Sequence, residues 1–177
     1  MLRNFRGISK SWVFSAETTP SFPLGKVVDI VVDPNSGQCV ALWVQTLDGL
    51  RLLDFRDIRK WKSREIFASA QKDMLKPEEF PRIKPVLERE VRIIGADVWA
   101  YNGLEKKKIG MVEDFMIETN FPVILSVKVN TGWWIFGKKI EIPRKRILQI
   151  TEEGILVSDN VIQVKDADSA IVFQSTK

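Results

Sequence analysis

Apolar residues recur along this chain in short β-branched runs separated by turn-forming residues, and no long amphipathic helix is encoded. Gly25–Val32 reads Gly-Lys-Val-Val-Asp-Ile-Val-Val and predicts a strand. Asp33-Pro-Asn-Ser-Gly37 then supplies turn chemistry, and Val40–Gln45 resumes as the second strand of a hairpin. The plan returns later, with Gly110–Glu118 and Val123–Val129 flanking Thr119–Pro122. Lys138–Pro143 predicts a third strand, in which Ile140 and Ile142 face one side and charged residues the other. Ile155–Val157 is a further short strand after Glu153-Gly154. The best helical candidate is a single turn at Pro77, where Glu78 and Glu79 suit a helix N-terminus.

These runs repeat. Leu24-Gly-Lys-Val-Val-Asp29 corresponds to Ile109-Gly-Met-Val-Glu-Asp114 at an offset of 85, which also aligns Val13 with Val98, Phe14 with Trp99, and Val40, Leu42 and Val44 with Leu125, Val127 and Val129. Downstream the offset becomes 89, aligning Ile58 with Ile147 and Ile66 with Ile155, so the second copy carries an insertion in its hairpin. Short, turn-punctuated strands favour closed barrels, because closure removes unpaired edges. The expectation is an all-β fold of two tandem small antiparallel β-barrels, residues 1–80 and 81–177. Each has its own interior, and the polar, proline-containing stretch Ser69–Pro85 joins them.

With these residues in view, the sequence resembles the PRC-barrel family over nearly its whole length. The resemblance rests on the two Gly-x-Val-x-Asp strands, on Pro34–Val44, and on Gly132-Trp-Trp-Ile-Phe-Gly137 leading through Lys138-Lys-Ile-Glu-Ile-Pro143 to Ile147. The first copy departs at this last element and has Asp54-Phe-Arg-Asp57 instead. The resemblance implies small, mostly antiparallel barrels acting as interaction or scaffold modules, in settings as unlike as a photosynthetic reaction centre subunit and a ribosome maturation factor. It carries over no catalytic residues.

The chemistry present narrows the function. With no histidine and one cysteine in 177 residues, Ser-His and Cys-His nucleophiles and thiolate metal sites are excluded, and no phosphate-cradling glycine loop occurs. We therefore expect no enzyme activity, no cofactor and no metal. Cys39 reads as a buried, inert thiol. Asp29 and Asp114 read as structural carboxylates, and Asp33, Asn35 and Ser36 as a turn rather than a calcium loop. Phe121–Phe136 is interrupted by Lys128, Asn130 and Gly132, so no membrane-spanning helix is expected, and the expected location is cytoplasmic.

Two features are candidate binding surfaces. Trp133 and Trp134 are adjacent and cannot both face one core, so with Phe136 they leave open a core strand or an aromatic patch for a partner. Lys138, Lys139, Arg144, Lys145 and Arg146, with Lys106–Lys108 in a loop, would form a positive face if the fold gathers them. In the first copy Arg56, Arg59, Lys60, Lys62 and Arg64 surround Trp61. The net charge of +4 is modest, so the leading expectation is a non-catalytic scaffold for a protein partner. The alternatives are an RNA- or ribosome-associated factor and a peripheral contact with a membrane complex.

Overall fold

A computed structural model describes residues 1–17, 22–70, 74–132 and 138–159. The fold is all-β, arranged as two sheets. The first contains β2 (Trp12–Ser15), β3 (Pro23–Val32), β4 (Cys39–Thr46), β5 (Gly49–Asp54), β6 (Ile58–Trp61), β7 (Glu65–Ala68) and β8 (Met74–Leu75). Its spatial order is β6-β7-β2-β3-β4-β5-β8. The second contains β9 (Asp97–Tyr101), β10 (Lys106–Glu118), β11 (Val123–Asn130), β12 (Lys139–Pro143), β13 (Ile147–Thr151) and β14 (Gly154–Ser158). Their order is β12-β11-β10-β9-β14-β13. Lys106–Lys108, expected in a loop, instead opens β10. No helix among the described residues is long and apolar enough to cross a membrane.

Read in reverse, the second order repeats the first apart from the terminal β8, and the registers correspond. Val13 lies opposite Gly25 and, in parallel, opposite Ile66; Val98 lies opposite Gly110 and, in parallel, opposite Ile155. Strand β3 is bulged between Val27 and Asp29 and again between Val31 and Val32, and β10 is bulged between Val112 and Asp114 and between Met116 and Ile117. The antiparallel expectation needs correction: the parallel pairs β2–β7 and β9–β14 make both sheets mixed. Among the described residues no pairing closes either sheet.

The two halves contact each other reciprocally. Gln38 bridges to Val123, the Cys39 N–H donates to Pro122 O at 2.8 Å, and the Ile124 N–H donates to Gly37 O at 3.0 Å. Each of these partners stands 85 positions from its counterpart, which is the pattern of a two-fold interface within one chain. The segments preceding each sheet also cross over. Strand β1 (Leu2–Asn4) pairs with Met116–Glu118 of β10, and helix α1 (Phe5–Ile8), capped by Asn4, packs on that strand with Phe5 stacked on Phe115 at 5.1 Å. Helix α2 (Lys84–Leu87) packs in turn on β3.

The expectation of two interiors is also corrected. Ile8, Val13, Leu42 and Ile66 belong to the same buried cluster as Val98, Phe115, Ile124 and Ile155. The physical reason is the crossover, since an arm that leaves one sheet to cover the other merges their apolar faces. A smaller cluster, Val31, Ala41, Leu52 and Ile83, lies under Phe80, Val86 and Leu87, so the end of the expected linker covers the first sheet. Arg82 reinforces this, pairing with the buried Asp54.

Candidate binding surface

The Gly-x-Val-x-Asp strands are shaped by close approach and by a self-capped bulge. A Cβ on Gly25 would lie 2.5 Å from Gln45 O, and one on Gly110 would lie 2.1 Å from Asn130 O, so only glycine lets the neighbouring strand come this close. Three residues on, each strand is bulged, and the aspartate that follows accepts the N–H of the residue after it. Asp29 Oδ1 accepts the Ile30 N–H at 2.8 Å, and Asp114 Oδ1 accepts the Phe115 N–H at 2.9 Å. Asp33 builds the expected turn, accepting from Asn35 N at 3.1 Å and from Ser36 Oγ at 2.6 Å.

The two halves then differ. Asp114 is buried and receives a second N–H, from Arg6 at 3.2 Å, whereas Asp29 is half-buried beside Arg92. Burial pushes the Asp29 carboxyl up, against the lowering effects of the Ile30 N–H and the Arg92 charge.

Trp133, Trp134 and Phe136 lie outside the described residues. Lys138 is exposed, and Lys139 Nζ sits 2.9 Å from Glu113, which also holds Arg6. The hydrogen bonds from Lys139 and Arg6 hold the Glu113 carboxyl below its usual range. Arg144 is an internal clamp: its guanidinium donates to Ile147 O at 3.2 Å and to Ser36 O, in the other half, at 3.3 Å. Lys145 is exposed and Arg146 half-buried. Lys108 pairs with Asp97 at 2.7 Å, leaving Lys106 and Lys107 exposed beside it.

Of the basic residues around Trp61, Arg56 pairs with Asp54 and Lys62 with Glu65 at 3.1 Å, whereas Arg59, Lys60 and Arg64 are exposed. Arg3 stacks over the Trp61 ring at 5.7 Å, and Phe55 packs against it at 5.8 Å.

Sequence reasoning missed a surface on the first sheet. Trp12, Lys26, Gln45 and Leu50 stand in register across β2, β3, β4 and β5. Trp12 is 47% exposed and Leu50 43%, and the bulged Val28 beside them is 44% exposed. A groove of about 630 Å³ adjoins this row, bounded by Val28–Val32, Trp43, Leu50 and the end of α2. The corresponding row of the second sheet is Asp97, Met111, Asn130 and Lys139, which is more polar. A signal was present in Trp12-Val-Phe-Ser15, where the large aromatics alternate with the buried Val13 and Ser15 and so must point outward. A second cavity, about 860 Å³, opens where the halves meet, between Asn35, Arg89, Trp99 and Glu152.

Comparison with known proteins adds one assignment: residues 88–169 match the family model of the PRC-barrel domain. A search of the curated proteins found no match.

Proposed function

We propose that the protein, whose residues 88–169 match the PRC-barrel domain model, is a non-catalytic binding or scaffold protein for a protein partner, in which residues 1–80 form a second, diverged module of the same kind. The equivalent strand orders and registers support the doubling, and the mixed sheets are read as two small barrels joined in tandem. The observation that carries the binding role is the exposed row Trp12, Lys26, Gln45 and Leu50 beside an open groove. Exposed aromatic and leucine side chains in register cost solvation free energy that a partner would recover, and Trp is a preferred interface anchor. The surface belongs to a single unit braced by β1 and by the Gln38–Val123 bridge, so a partner meets a preorganised face. This reading takes the protein to be cytoplasmic.

The test is affinity capture with the tagged full chain, with and without nuclease. A protein partner retained after nuclease and lost in Trp12→Ser and Leu50→Glu variants, whose melting temperatures stay within a few degrees of the parent, supports the scaffold role. The exposed Lys106 and Lys107 favour a second reading, an RNA-associated factor. On that reading binding disappears with nuclease and weakens steeply as salt rises.

A further inference from the structure

The N-terminal arm shows how one of these sheets accepts an extended segment. Strand β1 lies antiparallel on the outer edge of β10, with Arg3 opposite Ile117, and the chain continues so that the Arg6 N–H reaches Asp114. At the offset of 85, the matching edge of β3 is Val31–Asp33 and the matching carboxylate is Asp29. Strand β2 pairs with β3 only over Pro23–Lys26, and among the described residues no strand continues along the edge beyond it. The segment that corresponds to the arm, Val86–Ile93, forms a helical turn and then reverses at Glu90, whose φ is 49°, instead of running extended.

What remains is the groove. Five consecutive residues, Val28–Val32, border it. The run crosses the bulges at Val28 and at Val31–Val32, which break the strand's alternation, and Trp43 and Leu50 of β4 and β5 line the same groove. Asp29 stands in this groove and, among the described residues, accepts the Ile30 N–H where Asp114 accepts two N–H groups. The opposite wall is apolar, from Val86 and Leu87.

Building on the scaffold reading above, we propose that this groove binds an extended segment of a protein partner, added antiparallel to the free edge of β3. One of the segment's N–H groups completes the hydrogen bonding of Asp29. Main-chain pairing supplies affinity, as in other strand-addition complexes, and the apolar wall selects the side chain that faces it. The fitting occupant is basic and apolar, like the Leu2–Arg6 arm seated on the equivalent edge. Its cationic groups complement Asp29 and Glu90, the two carboxylates that border the groove with the single cation Arg92.

The probe is a synthetic peptide of the chain's own residues 1–8, added to the intact protein and followed by hydrogen exchange and calorimetry. The expected result is slowed exchange of the Val28–Val32 amides on peptide addition, with Met116–Glu118 unchanged. Asp29→Ala weakens binding about tenfold or more, the effect of losing a hydrogen bond to a charged group. Because Asp29 also caps its own bulge, Val28→Arg serves as a second variant: it fills the groove from an exposed position and sets a cation beside Asp29, and it weakens the peptide while leaving the melting temperature unchanged. Absence of protection along β3 overturns the proposal, as does protection confined to Met116–Glu118, which would mean that the peptide exchanges with the arm. If a captured partner is lost in Leu50→Glu while the peptide leaves β3 unprotected, strand addition fails and the scaffold reading stands. If the peptide protects β3 but no partner is captured, the scaffold reading fails and the groove stands.

Discussion

Asp29 and Asp114 occupy the same place in equivalent strands, yet Asp114 accepts N–H groups from both Phe115 and Arg6 whereas Asp29 accepts from Ile30. The difference arises because the N-terminal arm covers one strand and a helical turn meets the other. It gives the two carboxylates different energetics from one local sequence. Burial raises the Asp29 pKa, so its contribution to stability is complete below the ordinary carboxylate value of about 4 and is lost as pH rises through the raised folded value. Asp29→Asn keeps an oxygen for the Ile30 N–H and removes the buried charge. Thermal melts should show this variant above the parent at pH 7 and level with it at pH 3. Asp114→Asn should lose about 1 kcal/mol at pH 7, the scale of a weakened pair of hydrogen bonds. Equal losses at both positions would contradict the distinction.

The two glycines make a simpler claim. Alanine at Gly25 or Gly110 drives a methyl group into the carbonyl of the adjacent strand, and backbone cannot yield as a flexible side chain can. Gly25→Ala should cost about 2 kcal/mol, or roughly 6 °C in melting temperature, and Gly110→Ala should cost more because its approach is closer. Chemical denaturation of the two variants checks both the size and the order.

Asp54 fixes the covering segment over the first sheet. Its side chain is 2% exposed, it caps the turn at Arg56, accepting that residue's N–H at 2.9 Å, and it pairs with Arg82. Burial alone would raise its pKa, but the Arg56 hydrogen bonds and the Arg82 charge outweigh burial and leave it lowered. The stability it contributes is therefore present above about pH 4 and lost as pH falls through the lowered folded value. Asp54→Ala should destabilise by about 2 kcal/mol at pH 7 and should blunt the loss of stability on acidification. Hydrogen exchange should quicken at Ile83–Leu87, which this anchor holds in place.

Much of the fold was legible in the sequence because it is locally encoded. The paired Gly-x-Val-x-Asp strands, the Asp33–Gly37 turn and the alternation of Ile140 with Ile142 mark strands and their order without reference to the rest of the chain. What was not legible depends on contacts far apart in sequence. Nothing in Leu2–Asn4 indicates that it will pair with Met116–Glu118, and nothing in Arg144 indicates that it will reach Ser36. The same applies to the candidate site. Basic residues were visible as clusters, but whether Lys139 is available or engaged depends on Glu113, 26 positions away. The exposed row across β2 to β5 draws one residue from each strand, so no stretch of sequence displays it.

The two sheets form one body, joined at the Gln38–Val123 bridge. Cys39 reports on that joint directly. Its N–H bonds Pro122 across the interface, its thiol is buried, and burial pushes the thiol's pKa up to about 12. The thiol stays protonated and unreactive until the joint opens. Thiol labelling across a denaturant series should therefore give an opening free energy for Cys39 equal to that of global unfolding monitored by circular dichroism. Labelling that proceeds well below the unfolding transition, with both sheets still intact, would show that the halves separate independently and are not one body.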